Sequence, residues 1–327
     1  MSGDDIMVYQ HYRTLLSDKE KIIYDKIYTG LKNLEDRIET PHISFDIYNK
    51  IINYVSLDNP MFFYFQQYRY QSDGIALELI PNYVYSKEKI IKYLKKISRL
   101  TKNFINKKRS DYDFVLYLNT LFKKKIVYHI DNTHEIHTVI GSLINKTAVC
   151  DGISKLFKYI CDLNNIKAIV VEGDAKSSYD SPNYIPHAWN KVCINGIWSH
   201  IDLTYNLTTC KEDDIRHDYC FLTDKEISIT HVMKHNDGLV CNDNSLNYYI
   251  KRNLVMHKKE TLKQYIGEMV RLKQNWIEFK IPASKDLKNV INLVVEVIEE
   301  ALMEHRVYNR FNVNYNLDQL VFFVKIL

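Results

Sequence analysis

The sequence predicts an α+β protein, on three observations. The first third repeats apolar residues at helical spacing. The middle third sets one amphipathic helix beside short β-branched runs joined by turn residues. The last hundred residues alternate helical and strand patterns.

In chain order, Ser17-Asp18-Lys19-Glu20 has the form of a capping box, and Ile22, Ile23, Ile27, Tyr28 and Leu31 follow at helical spacing. A second helix follows Ser44 and ends near Asp58-Asn59-Pro60, because proline cannot continue it. Met61 to Tyr70 and Ile75 to Tyr85 read as a hairpin, with Ser72-Asp73-Gly74 at the turn. Ser86 to Lys107 predicts a long basic amphipathic helix whose charges read as a solvated face. Asp111 to Lys125 predicts another helix.

Ala148 to Asn164 fits a helix with Ile153, Leu156, Phe157 and Ile160 on one face. Strands are expected at Ile166 to Glu172, His187 to Val192 and Gly196 to Leu203, the last two joined by Asn195-Gly196. A helix near 259–271, a strand near 274–281, a helix near 284–303 and two strands near 307–326 complete the pattern. The expected division is 1–110, mainly helical with a hairpin; 111–229, a central core; and 230–327, a small α+β unit.

Composition bounds the function. The chain has 327 residues, enough for one large domain or two to three modules. A net charge of +4 without a basic stripe or nucleic-acid motif argues against a nucleic-acid partner. No stretch approaches 18 apolar residues, so no membrane insertion is expected. The start, MSGDDIMVYQHYRTLL, lacks the basic and apolar regions of a secretory signal. Six cysteines, at 150, 161, 193, 210, 220 and 241, form no CxxC pair. Reduced thiols in a reducing compartment fit best, so a cytoplasmic location is expected.

Three residues carry candidate chemistry. Cys150 stands at a predicted helix start, where free N–H groups favour a thiolate, the reactive form. Gly152 would let a substrate backbone approach, while the charge of Asp151 opposes a thiolate unless it points to solvent. His187 opens a β pattern, and its near-neutral pKa suits it to take and return a proton. Asp202, between Ile201 and Leu203 on a predicted strand, should project to the opposite face from both and hold an imidazole N–H.

Ala148-Val149-Cys150-Asp151-Gly152, Phe157-Lys158-Tyr159, Ile169 to Gly173, His187-Ala188-Trp189-Asn190 and Trp198-Ser199-His200-Ile201-Asp202-Leu203-Thr204-Tyr205 occur in that order. Together they resemble the transglutaminase-like superfamily, in its bacterial branch, over Asp113 to Thr223. Asn206, where more acidic surroundings are usual, and Asp151-Gly152-Ile153, where Glu-Gly-Tyr is commoner, depart from the pattern.

The resemblance implies a papain-like core, a cysteine helix packed on an antiparallel sheet, with Cys150, His187 and Asp202 as catalytic triad. Members attack an amide carbonyl and form a thioester. The acyl group passes to water in a peptidase or amidase, or to an amine in a cross-linking acyltransferase acting on protein glutamine. Water is the preferred acceptor here, and a protein or peptide is the expected substrate. A non-catalytic peptide-binding module is the rival reading; many relatives lose a triad residue, and this chain keeps all three.

The Cys150 N–H is one oxyanion donor by geometry. His137, in a segment where members place a polar residue, is the second candidate. No calcium-binding motif is visible, and neither cofactor nor metal is expected. His231, His235 and Cys241, like His129, His134 and His137, match zinc spacing only loosely.

Overall fold

The computed structural model describes residues 8–177, 182–208, 214–282, 287–307 and 310–327. Helix α1 (Asp18–Asn33) starts on the expected capping box. Ser17 Oγ accepts the Glu20 N–H, and the Glu20 carboxylate accepts the Ser17 N–H. Helix α2 (Phe45–Asp58) stops before Pro60. Its last residue, Asp58, is fully buried and accepts the N–H groups of Tyr12 and Arg13, each at 3.0 Å, and the Tyr24 hydroxyl, also at 3.0 Å. These bonds fasten the start of the chain to the end of α2.

Strands β1 (Ile38–Pro41), β2 (Phe65–Ser72) and β3 (Ala76–Tyr83) form an antiparallel sheet in the order β1-β3-β2. The first hairpin strand begins at Phe65 rather than Met61, because residues 60–64 are taken up in turns after α2. Helices α3 (Lys87–Thr101) and α4 (Asp111–Lys125) follow, both N-capped by serine. Strand β4 (Val127–Tyr128) then pairs in parallel with β5 (Thr147–Ala148), which leads directly into α5 (Cys150–Leu163). Ile153, Leu156, Phe157 and Ile160 of α5 are each 2% exposed or less. Burial of each such side chain stabilises the fold by roughly 1.5–3 kcal/mol.

Helix α5 packs on a five-stranded antiparallel sheet made of β6 (Ala168–Lys176), β7 (Tyr184–Ile194), β8 (Ile197–Ile201), β9 (Cys220–Leu222) and β10 (His231–Met233), in the order β10-β6-β7-β8-β9. The Asn195-Gly196 turn between β7 and β8 has φ of 53° and 85°, the left-handed backbone a tight hairpin requires. Asn190 of β7 locks helix to sheet, donating to Ser154 O at 3.1 Å and Ile169 O at 2.9 Å.

Three readings are corrected here. His187 does not open its strand: β7 starts at Tyr184, and His187 is its fourth residue. Asp202 is not on a strand: β8 ends at Ile201, and Asp202 caps helix α6 (Leu203–Thr208), accepting the Tyr205 N–H at 2.9 Å. The expected boundary at 229 falls inside the sheet, since β10 pairs with β6, His231 opposite Ala175.

Helices α7 (Lys259–Arg271) and α8 (Leu287–Glu304) and strands β11 (Trp276–Lys280), β12 (Phe311–Asn316) and β13 (Val321–Ile326) make the last unit, with sheet order β11-β13-β12. Ile266, Phe279, Val294, Val297 and Phe322 centre its own apolar cluster. Cys150, Cys161, Cys193, Cys220 and Cys241 are free thiols; Cys210 lies outside the described residues. Among the described residues, no helix is long and apolar enough to cross a membrane.

Candidate active site

Cys150 is the first residue of α5, partly exposed, with Val149 as the extended N-cap. Its backbone N–H, in the first turn, has no acceptor within the helix. His187 Nε2 lies 2.7 Å from Asp202 Oδ2, and Cys150 lies close enough to the same imidazole to help raise its pKa. With Nε2 committed to the carboxylate, Nδ1 is left for the sulfur. The three residues named from the sequence therefore meet in one row.

The electrostatics match this row. Burial works against a charge on His187, but the Asp202 carboxylate and Cys150 outweigh it and raise the ring to about 10. Asp202 is fully buried. Burial alone would raise its pKa, but the donors from His187 and His231 hold it well below the usual carboxylate range.

Residues 98–203, which contain all three, match the transglutaminase-like superfamily. That segment belongs to the transglutaminase-like superfamily. Among solved structures, the chain is similar to a TGase at 16% identity and a TM-score of 0.32, over 54% of this chain and 52% of that one. It is similar to a candidate cysteine protease from Cytophaga hutchinsonii at 15% identity and a TM-score of 0.29, over 42% of this chain and 61% of that one. It is also similar to menin, whose structure reveals a binding site for the Mixed Lineage Leukemia protein, at 10% identity and a TM-score of 0.27, over 67% of this chain and 54% of that one. The chain thus spans about half to three fifths of each of these structures. No curated protein matches the chain.

Around the transglutaminase-like core, the neighbours of Cys150 differ from expectation. A Cβ built on Gly152 would sit 2.3 Å from the Ile136 carbonyl oxygen. The bare face of this glycine is filled by the preceding loop, so it does not admit a substrate backbone. Asp151 is paired rather than simply solvated. His137 Nδ1 lies 3.0 Å from its carboxylate and Lys155 Nζ 3.4 Å. Burial raises the Asp151 pKa, but Lys155 and His137 prevail and lower it. The hydrogen bond to Asp151 raises the His137 pKa in turn. Asp151 is thus offset by the Lys155 cation and hydrogen-bonded to His137 beside the thiol. His137, the oxyanion candidate, is half-exposed and commits Nδ1 to Asp151.

Four further residues surround the site; the sequence places Trp189 beside it, while it assigns His231, Tyr205 and Tyr128 no role there. His231 is fully buried, and its Nε2 lies 2.9 Å from the same Asp202 Oδ2. Tyr205 packs its ring 5.2 Å from that of His187 and donates its hydroxyl to the Lys176 carbonyl. Trp189 stacks on His187 at 6.2 Å and donates its indole N–H to His200 Nδ1 at 2.9 Å. Tyr128, held by β4 beside β5, has its phenol pKa pushed up to about 12 by burial and then by the charges of Cys150 and Asp202.

Two trios of metal-type donors occur among the described residues: His187, Asp202 and His231, and His200, Asp224 and Cys241. The loosely spaced histidines and Cys241 noted in the sequence do not group as written. His231 and Cys241 join different trios, and His235 joins neither. Hydrogen bonds occupy the nitrogens a cation would need. His187 and His231 each address Asp202 through Nε2. His200 accepts the Trp189 N–H at Nδ1 and addresses Asp224 through Nε2 at 2.8 Å. His134 and His137 part company, His134 donating to the Phe63 carbonyl at 2.6 Å.

Proposed function

We infer that the chain is a cysteine enzyme acting on amide bonds of proteins or peptides through a thioester, with water as the acyl acceptor. The observation that supports this is His187, hydrogen-bonded to the buried Asp202 carboxylate and near enough to Cys150 for the cysteine to raise its pKa. A strongly held ring proton fits the chemistry. Cys150 attacks the amide carbon as a thiolate, with its proton on His187. The C–N bond then breaks, His187 gives that proton to the leaving nitrogen, and a thioester remains. His187 next takes a proton from water, whose oxygen attacks the thioester carbon; the acid leaves and the thiolate returns.

The Cys150 N–H in the first turn of α5 is the first oxyanion donor in this reading, and His137 the second candidate. A groove of about 370 Å³ runs past His137 and Lys155 and is walled by Asn53, Phe65 and Tyr68; it reaches the row only through His137, the partner of Asp151. The helical part before residue 111 and the last unit after β10 serve this reading as supports of the core.

Iodoacetamide labelling across pH, read by mass spectrometry, tests the nucleophile. Selective modification of Cys150 below pH 7 is expected. Modification no faster than at the other cysteines would leave a peptide-binding module as the better reading. Incubation of a glutamine-containing protein with a fluorescent amine tests the acceptor. Release of free acid or ammonia without amine incorporation is expected; efficient incorporation would make the protein an acyltransferase.

A further inference from the structure

Asp202 carries more donors than a triad needs. Its Oδ1 accepts the Tyr205 N–H at 2.9 Å. Its Oδ2 accepts from His187 at 2.7 Å and from His231 at 2.9 Å. The two histidines come from different strands, β7 and β10, so the oxygen between them is fixed from both sides. We propose that His231 is a positioning residue of the active site: a neutral histidine that donates Nε2–H to Asp202 and sets the place and charge of the oxygen that holds His187. This rests on the reading of Cys150, His187 and Asp202 as one catalytic row.

The tautomer follows from the network. An ionised carboxylate only accepts, so the proton facing Asp202 belongs to Nε2. Nδ1 lies 2.7 Å from the buried Thr230 hydroxyl, which donates to it in this tautomer rather than to the Ile227 carbonyl at 3.4 Å. Both ring nitrogens are therefore occupied, and the ring cannot turn without breaking a buried bond. Around it, Trp189, Tyr205, His187 and Tyr219 lie at 4.9, 4.8, 5.4 and 5.9 Å. Of these neighbours, His187 is titratable and, with Asp202, sets the local charge, while Tyr205 and Tyr219 face the ring as phenols. Burial lowers the His231 pKa, and the neighbouring His187 charge adds to that, in keeping with a ring that donates without a charge.

The chemical consequence is specific. A second donor on Oδ2 takes up part of the carboxylate charge that faces His187. Without it, the oxygen holds the His187 proton more tightly and is free to swing. The Gln side chain can carry an N–H to the place of Nε2; Leu fills the space and carries none.

The test labels histidine with 15N and reads the ring nitrogens by NMR in the wild type, H231L and H231Q, with the His187 signal assigned by its loss in H187Q. In the wild type, His231 is expected as the neutral Nε2–H tautomer at pH 7. In H231L the titration midpoint of His187 moves up by about half a unit or more, the effect of removing one donor from a charged acceptor. H231Q brings it back toward the wild-type value. A His231 that is the Nδ1–H tautomer, or fully charged at pH 7, overturns the proposal even if H231L does not fold. So does a His187 midpoint that is the same in H231L as in the wild type. Cys150 alkylation in the wild type and H187Q, run alongside, judges the catalytic row separately. Equal rates there sink the row while the NMR result still decides the hydrogen-bond role of His231.

Discussion

Trp189 lies against the bare Cα of Gly173: a Cβ built there would sit 2.8 Å from Cη2 of the indole and 2.1 Å from the Val232 carbonyl oxygen. Gly173 stands between His187 on β7 and Met233 on β10 in the sheet register. Its missing side chain lets Trp189 lie under His187 and lets β10 come close enough for His231 to reach Asp202.

Gly173→Ala is therefore expected to push β10 and the indole away from β6. The carbonyl contact is with backbone, so it is not relieved by a rotamer change. Destabilisation of about 1–3 kcal/mol is expected, in the range for overpacked sites. Urea unfolding measures it, and selective Cys150 alkylation should weaken in the same variant. An unchanged unfolding midpoint together with unchanged alkylation would refute the link between Gly173 and the site.

The row itself was legible through the ordered blocks that resemble the transglutaminase-like superfamily; the local pattern around each member was weak by itself. Cys150 opens an amphipathic helix, His187 lies in a short β pattern, and Asp202 follows a strand. Their exact places were less so. Ile201-Asp202-Leu203 alternates like a strand, but Thr204 to Leu207 are already helix, and Asp202 is the cap whose carboxylate takes the third N–H. An Asp placed before three helix-compatible residues was the available signal. His231 gave none. It lies 29 residues from Asp202, and its neighbours Thr230 and Val232 suggest only a short strand. Gly152 failed for a related reason: a glycine shows that something comes close, not whether it is substrate or the Ile136 backbone.

Asp202→Asn should preserve the shape of the site while removing its charge. The amide cannot serve both histidines as a two-fold acceptor on one oxygen and still carry the negative charge that holds the His187 proton. On whichever peptide amide the wild type turns over best, kcat/KM should fall by about 1,000-fold or more, as when a triad acid is neutralised. A fall of less than tenfold would mean that Asp202 does not orient the base.

The same pair fixes a stability profile in pH. His187, raised from 6.5 to about 10, contributes stability that is full below pH 6.5 and is lost as pH rises toward 10. Asp202, lowered from 3.8, contributes stability that is full above pH 3.8 and is lost as pH falls through its depressed value. His231, lowered from 6.5, adds an acid-side loss that begins below pH 6.5, since the unfolded chain then binds a proton the folded ring refuses. Among these three groups the maximum lies near pH 6.5. Thermal unfolding from pH 4 to pH 10 should show both limbs, and D202N should flatten the alkaline one. An alkaline limb of equal slope in D202N would assign it to other groups.

Lys158 and Asp162 lie one turn apart on α5 with no exposed side-chain surface, 2.9 Å between Nζ and Oδ2. Lys158 also donates to the Tyr9 carbonyl at 3.0 Å, and Asp162 accepts the Tyr9 N–H at 3.2 Å. The pair therefore holds the chain's first described residues against the helix that carries Cys150. Burial nonetheless pushes the Asp162 carboxyl up to about 6 despite its lysine partner, so desolvation outweighs attraction at this site. Breaking one side should then be far worse than removing both. Lys158→Met alone leaves a buried carboxylate without its cation and should cost about 3–5 kcal/mol. Lys158→Met with Asp162→Leu should recover most of that loss, keeping only the cost of the two Tyr9 bonds. Urea denaturation of the two single variants and the double variant completes the cycle. A double variant less stable than either single one would show that the ion pair, not the packing around it, secures α5.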